Sequence, residues 1–404
     1  MMLSVAEAFQ RVTAGFHALA PEQIPVSSGL GRVLAEPVAA RLTQPPLAVS
    51  AMDGYAVRAA DLDPIPARLS IVGISAAGNG YAGRIEPGQA VRIFTGAPVP
   101  DGADAIVIQE DTQSDGETVE IFETAAPGAF VRPAGLDFTA GDALLPVGHV
   151  LSARDLGLIA GMNVPWIKVR QRPRVAILAT GDELAMPGEP LTSERIISSN
   201  SVALSASVSV LGGVPVDLGI ARDDAGALER MLEGARGNDL LVTIGGASVG
   251  DRDLVRKVLG DKGFELDFFR VAMRPGKPLI FGHLDGTPVI GLPGNPVSAG
   301  VTAMLFVRAA LRIMLGLPAA EEPETAELGR DLPANDRRED YMRATLKQTR
   351  DGRRVATPFK RQDSAMSALF AQAECLVVRP PFAAEAKKGD TVVIIPFPHA
   401  LARY

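Results

Sequence analysis

The chain has 404 residues, 47% of them hydrophobic and 22% charged, with a formal net charge of −7. That length exceeds what one core fills, so about two to four domains are expected, and the acidic balance argues against non-specific nucleic-acid binding. One cysteine, Cys375, excludes an internal disulfide framework and a multi-cysteine zinc site, and the four histidines (His17, His149, His283, His399) have no metal-ligand spacing. Cys375 stands in an apolar run, Cys-Leu-Val-Val, and reads as a buried structural thiol. The N-terminus lacks a basic stretch followed by an apolar core, and no run of about 18 apolar residues occurs, so a cytoplasmic protein without a membrane association is expected.

Val5, Phe9, Val12, Phe16 and Leu19 recur at steps of four and three, which predicts an amphipathic helix. Thr43-Gln-Pro-Pro-Leu47 reads as a linker, because paired prolines continue neither a helix nor a sheet ladder. From about 51 to 140 short strands are broken by Gly and Pro, as in Leu69-Ser-Ile-Val, Ala90-Val-Arg-Ile-Phe, Ala105-Ile-Val-Ile and Thr118-Val-Glu-Ile-Phe. A helix is predicted over 152–162, opened by the capping sequence Ser152-Ala-Arg-Asp155 and pairing with the N-terminal helix. The β-rich module, residues 43–140, is then an insertion in an N-terminal domain made of 1–42 and 141–171.

Residues 172–320 alternate strand and helix. Strands are predicted at 174–179, 214–220, 240–244, 278–282 and 287–292, with helices at 201–212, 224–235, 251–260 and 297–315. This series predicts a mostly parallel, doubly wound sheet. After a Pro/Glu linker at 317–323, residues 324–404 read as strands with a mildly basic, solvated face. The fold expected is therefore multidomain α/β plus β.

In doubly wound sheets ligands bind at the carboxyl ends of the strands. The turns there are Thr180-Gly-Asp-Glu183, Arg222-Asp-Asp224, Thr243-Ile-Gly-Gly-Ala-Ser-Val-Gly-Asp-Arg-Asp253, Arg270 to Lys277, and Gly291-Leu-Pro-Gly-Asn-Pro-Val-Ser298. Two glycine-rich turns followed by helical patterns offer backbone N–H groups to an anion. The carboxylates beside them suit Mg²⁺ on a phosphate-bearing ligand. Neither turn matches the P-loop or the dinucleotide fingerprint. Each turn alone is ordinary; the clustering carries the signal. Ser50-Ala-Met-Asp-Gly-Tyr-Ala-Val57 and Phe94-Thr-Gly-Ala-Pro-Val-Pro100 in the β module could deliver a carboxylate to a neighbouring domain or subunit.

These stretches, in this order and over about residues 4–396, closely resemble the molybdopterin molybdenumtransferases and the C-terminal domain of gephyrin. The resemblance implies a central molybdopterin-binding domain that inserts molybdenum from molybdate into adenylyl-molybdopterin, releasing AMP. Mg²⁺ is the implied helper ion. It also implies a homodimer whose β module reaches its partner's α/β domain, and contacts with other enzymes of the pathway. By position it carries over catalytic roles for Asp53, Thr95, Asp137, Glu183, Asp223 and Asp253, with Glu183 and Asp223 nearest the metal. Substrate binding falls to Arg132, Gly245, Gly246, Ser248, Gly250, Arg270, Arg274, Lys277, Pro293, Gly294, Asn295, Pro296 and Ser364. Arg270 and Arg274 replace two family lysines; they keep the charge and can grip an oxyanion bidentately. Ser198 stands where the family usually has Asp. The alternatives are a molybdopterin adenylyltransferase, which predicts a chain of about one α/β domain, and a gephyrin-like scaffold, which requires an exposed partner groove.

Overall fold

The computed structural model describes residues 2–222, 224–245, 260 and 263–397. These fall into two compact units, one of Gln23–Leu30 with Glu36–Lys168, the other of the remaining chain.

The β-rich unit is built on a six-stranded sheet. Its strands are β1 (Gly54–Val57), β2 (Ala67–Ser75), β3 (Gln89–Ile93), β4 (Ala105–Ile108), β5 (Thr112–Ser114) and β6 (Thr118–Ile121), in the order β4-β1-β3-β2-β6-β5. Successive side chains leave opposite faces of a strand, and here both faces are covered. Tyr55, Val57 and Val107 join one apolar cluster, and Ala56, Ile106, Val91 and Ile93 another. Gly54 is required in β1, because a Cβ there would stand 1.9 Å from the Val107 carbonyl oxygen. The 43–47 stretch is no linker. Gln44 N donates to the Phe138 carbonyl (2.9 Å), Asp137 N to Gln44 (3.0 Å), and Gly135 N to Pro45 (2.9 Å). The prolines sit where the ladder asks nothing of a proline nitrogen.

The helix predicted over 152–162 is α2, Ala153–Gly161, capped as the sequence indicates: Ser152 Oγ accepts from Asp155 N while the Asp155 carboxylate accepts from Ser152 N (2.7 Å). It lies in the β-rich unit, apart in the chain's division from the N-terminal helix. That helix, α1 (Val5–Ala14), belongs to the other unit, where Val5, Ala8 and Val12 enter the α/β core. It stops at Ala14, short of the predicted stripe. Phe16 still packs on Phe281 with ring centroids 6.4 Å apart, and Leu19 N bonds to Met314, so these apolar residues reach the core from irregular chain. Periodicity alone cannot tell a stripe on a helix from apolar residues on a loop beside it.

The α/β sheet comprises β7 (Arg174–Thr180), β8 (Val214–Ala221), β9 (Leu240–Ile244), β10 (Glu265–Arg270), β11 (Pro278–Leu284) and β12 (Thr287–Leu292), ordered β8-β7-β9-β12-β11-β10. The first four are parallel; β11 runs antiparallel to both neighbours. The hairpin β11–β12 was readable as two strands, but its two-residue turn leaves no room for a crossover, so the pair is antiparallel. Strand β10 has no counterpart among the predicted elements. Val175 and Ile177 face a core with α1, α3 (Ser199–Val210) and the long helix; Ala176 and Leu178 face α4 (Ala225–Glu233). Both faces are therefore buried, as a doubly wound sheet requires. The long helix α5 spans Pro296–Met314 and includes a π-helical turn at Ala303–Val307, which no periodicity announced. It is the one helix among the described residues with the length and apolarity to cross a bilayer, and it is mostly buried in this core.

The C-terminal strands are β13 (Glu324–Leu328), β14 (Glu339–Gln348), β15 (Arg354–Pro358), β16 (Cys375–Arg379) and β17 (Thr391–Pro396). They pair in a ring, β14-β15-β13-β17-β16 and back to β14, a small closed barrel. Cys375 lies inside it, fully buried, and burial pushes its thiol up to about 12. It is a core residue, as its apolar neighbours predicted.

Candidate functional site

Parallel register brings four strand ends into one row. Thr180 faces Ala221, Ala179 faces Ile244, and Ile244 faces Leu292. The residues that follow, Gly181, Arg222, Gly245 and Pro293, therefore leave the same edge of the sheet. Arg270 joins them: it faces Pro278, and Ile280 faces Gly291, so the 270–277 turn lies at that edge too.

The two glycine turns meet there. Gly245 has φ +92°, and a Cβ on it would stand 2.6 Å from the Thr180 carbonyl oxygen. No other residue fits that backbone without strain. Among the described residues a Cβ on Gly294 would meet only Gly245 Cα, at 3.9 Å, an ordinary van der Waals distance, so the two turns face each other at close range. Asn200 Nδ2 donates to the Gly294 carbonyl (2.7 Å) and fixes the second turn. Ser198 is buried and shares a hydrogen bond with Ser201 (3.2 Å), which makes it a helix-start residue in this chain.

Asn295 caps α5 and Pro296 is its first residue, a position that needs no N–H donor. The Asn295 side chain does not cap its own helix. It donates to Ser364 Oγ (2.9 Å), and the Ser364 carbonyl accepts from Val297 N (3.1 Å). Ser364 thus arrives from the C-terminal barrel onto the second glycine turn. The residue that holds it was not singled out from the sequence. Arg343, fully buried, donates from Nε to Gln362 Oε1 (3.0 Å) and from Nη1 to the Asp363 carbonyl (2.7 Å). Burial lowers its affinity for a proton. The only signal in the sequence was an arginine at an inward position of β14.

Glu183 is exposed and lies over its own turn, its Oε2 2.5 Å from where a Cβ on Gly181 would be. Arg270 sets its guanidinium over the Phe269 ring (4.8 Å), and its Nε is buried without a hydrogen-bond partner among the described residues. Arg274 is engaged. It bonds to Asp340, Asn335 (3.2 Å) and Asp336 (3.3 Å), and the Asp340 carboxylate raises its pKa above the usual arginine value. The two replacements of family lysines are thus unlike: Arg274 already neutralises carboxylates, while Arg270 pairs with no carboxylate among the described residues. Lys277 is exposed. Among the described residues no three His, Cys, Asp or Glu side chains converge as a metal cage. Asp223, Gly246, Ser248, Gly250 and Asp253 lie outside the described residues, as does the helix predicted at 251–260 apart from its last residue.

The β-rich unit holds a second group. Asp53 Oδ1 accepts from Thr95 N (2.7 Å) and Thr95 Oγ1 (2.8 Å), and these bonds, with Arg92 nearby, hold its carboxyl below the usual carboxylate range. Gly96, next to Thr95, lines a cleft of about 670 Å³ together with Arg132, Asp137, Gln44, Leu47, Pro98 and neighbouring prolines. The structure therefore assembles the predicted residues into two groups, one in each unit.

Residues 3–162 match the MoeA N-terminal region (domain I and II), 176–313 a probable molybdopterin binding domain, and 325–397 the MoeA C-terminal region (domain IV). A molybdopterin molybdenumtransferase of Nostoc sp. is 39% identical over 326 residues, covering 78% of this chain and 75% of that protein. One from Haemophilus influenzae is 33% identical over 384 residues, covering 94% of this chain and 95% of that one. A solved structure of a molybdopterin biosynthesis MoeA protein from a Pyrococcus species superimposes with a TM-score of 0.84 at 30% identity, covering 98% of each chain. With two facing glycine turns on the α/β edge and matches across all its parts, the chain belongs to the molybdopterin molybdenumtransferase family, transferases of molybdenum-cofactor biosynthesis.

Proposed function

We propose that the chain inserts molybdenum from molybdate into adenylyl-molybdopterin with release of AMP. The observation that carries this reading is the facing pair Gly245 and Gly294 at the carboxyl edge of the sheet, beside Arg270, Lys277 and Ser364. Backbone N–H groups and cations at such an edge suit a pyrophosphate. Molybdate, a tetrahedral dianion, would sit beside the pterin dithiolene against Arg270, Lys277 and the Ser364 hydroxyl. Arg274, tied to Asp340 and Asp336, serves this reading by fixing the turn between them.

Mg²⁺ fits the edge modestly. Glu183 is exposed there, and Mg²⁺ needs only one or two carboxylates when substrate phosphates and water complete its shell. With Glu183 and Asp223 as its holders, it would screen the charge of the pyrophosphate. Asp53, Thr95, Arg132 and Asp137 make up the second group, which in this reading meets the substrate from the β module of a partner subunit. Gly246, Ser248, Gly250 and Asp253 complete the first turn, with Pro293, Asn295 and Pro296 in the second. The reading further includes a division into 1–42 with 141–171, 43–140, 172–320 and 324–404, amended in that α1 packs into the α/β core, together with a homodimer, contact with other enzymes of the pathway, and a cytoplasmic setting.

The test is AMP release from adenylyl-molybdopterin with Mg²⁺ and molybdate. Asp53→Asn should lower the rate about 100-fold at unchanged melting temperature. ATP-dependent adenylylation of molybdopterin, or an Asp53→Asn variant as fast as the parent, would overturn the reading. Light scattering decides the oligomeric state.

A further inference from the structure

Arg92 lies on β3, three residues before Thr95, and is not among the residues assigned to the site above. Its guanidinium stands over two rings at once, 5.0 Å from the Tyr55 centroid and 5.1 Å from that of Phe94. Rings on this scale attract a cation through their faces and restrict its rotation. Two further bonds set the direction of the fork. Nη1 donates to the Gly54 carbonyl (3.2 Å) and Nη2 to Gln109 Oε1 (2.7 Å). Gln109 in turn donates its backbone N–H to the Asp53 carbonyl (3.0 Å). The Asp53–Gly54 segment is thus held at both carbonyls by one arginine and the glutamine it grips.

The strand geometry explains why the grip is there. Tyr55 faces Arg92 across the β1–β3 ladder, and Gly54 faces Ile93, so Arg92 sits beside the point where Asp53 leaves the sheet. Thr95 follows in the turn just past that strand and supplies two hydrogen bonds to the Asp53 carboxylate. A carboxylate held from the Thr95 side alone could still swing with its own backbone. Bonds at the Asp53 and Gly54 carbonyls remove that freedom.

We propose that Arg92 is a positioning residue for Asp53: clamped between Tyr55 and Phe94, it fixes the Asp53–Gly54 backbone and so the direction of the carboxylate. Arg92 does not itself contact substrate in this scheme. The inference rests on the reading that Asp53 works in the transfer reaction. A purely structural arginine would contribute to folding and leave turnover per folded molecule unchanged. A positioning residue lowers kcat, because misplacing a reacting group costs rate even when the ligand still binds.

The variants are Arg92→Lys and Arg92→Met in the full chain, compared with the parent and Asp53→Asn. AMP release gives kcat and KM for adenylyl-molybdopterin, and a ¹³C NMR titration follows the Asp53 carboxyl. Arg92→Met should lose about tenfold or more in kcat with KM changed by less than about threefold, and its Asp53 carboxyl should titrate at higher pH than in the parent. Arg92→Lys keeps the charge but not the fork, so it should restore the titration while recovering kcat only in part. Parent-like kcat and an unmoved Asp53 titration in a folded Arg92→Met protein would overturn the proposal. Equal kcat in Arg92→Lys and the parent would overturn the role of the fork. If Asp53→Asn itself turns over normally, the assignment of Asp53 fails; the NMR titration then still decides whether Arg92 governs that carboxyl.

Discussion

The two groups of site residues are positioned by different means. In the α/β part the turns inherit their places from sheet register: four parallel strands end in one row, and glycines let their backbones approach. In the β-rich unit the loops are caged by their own aspartates. Asp53 with Thr95, Asp115 with Thr118, Asp142 with Thr139 and Asp155 with Ser152 each accept a backbone N–H, and the first three also accept a hydroxyl. The first mechanism depends on backbone space and is indifferent to ionisation. The second depends on four carboxylates staying charged. One unit should therefore fail by crowding, the other by losing single side-chain bonds or by acid.

The sharpest way to break the contrast is Gly245→Ala. A methyl group 2.6 Å from the Thr180 carbonyl, on a backbone at φ +92°, must push the turn away from Thr180 and so shift it against Gly294. It should cost about 1–3 kcal/mol in stability and lower AMP release at least about tenfold; calorimetry and the turnover assay read the two. A parent-like Gly245→Ala protein would mean the turn is not set by backbone space.

Thr95→Val should do the reverse in the β-rich unit. It removes the 2.8 Å hydroxyl bond but keeps the backbone one, so melting should barely change. AMP release should fall several-fold, and the Asp53 carboxyl should titrate at higher pH, since one of the bonds favouring its charged form is gone. Unchanged titration would show that the backbone bond alone holds Asp53.

The smallest effect at neutral pH is the acid response. All four carboxylates have depressed pKa values, the hydrogen bonds from their Ser or Thr partners being the first cause, and Asp155 falls to about 2. A depressed carboxylate contributes stability that is complete above its unfolded pKa and is lost as pH falls through the folded value. For Asp155 that window runs from the ordinary 3.8 down to about 2. Hydrogen exchange at falling pH should thus open the turns at 53–55, 115–118, 139–142 and 152–155 before the turns of the α/β edge. Simultaneous opening would erase the distinction.

Much of this was legible in the chain. The capping sequence at Ser152 marked a helix start because its two hydrogen bonds are local, and the alternation of strands and helices over 172–320 marked a doubly wound sheet. Local reasoning failed where partners were distant. Phe16 and Leu19 looked helical because their spacing was right, yet their apolar surface is buried from a loop. The prolines at 45 and 46 looked like a linker because the backbone that pairs with this stretch, at Gly135 to Phe138, is far away in the sequence. The antiparallel hairpin and the π turn in α5 are decided by packing that no short window contains.

The same division holds for the site. Residue types, spacing and the glycine turns belong to the sequence, which determined the family, the strand edge to search for a site and the choice of Asp53 as a candidate. Tertiary structure decided which candidates have free chemistry. It tied Arg274 to Asp340, left Arg270 Nε without a described partner, and brought Ser364 from the barrel onto Asn295 through buried Arg343. It also enclosed Arg92 between two rings beside Asp53. The reason is physical: a charge declares itself in the sequence, but whether it is neutralised, clamped or available depends on which groups long-range packing places around it.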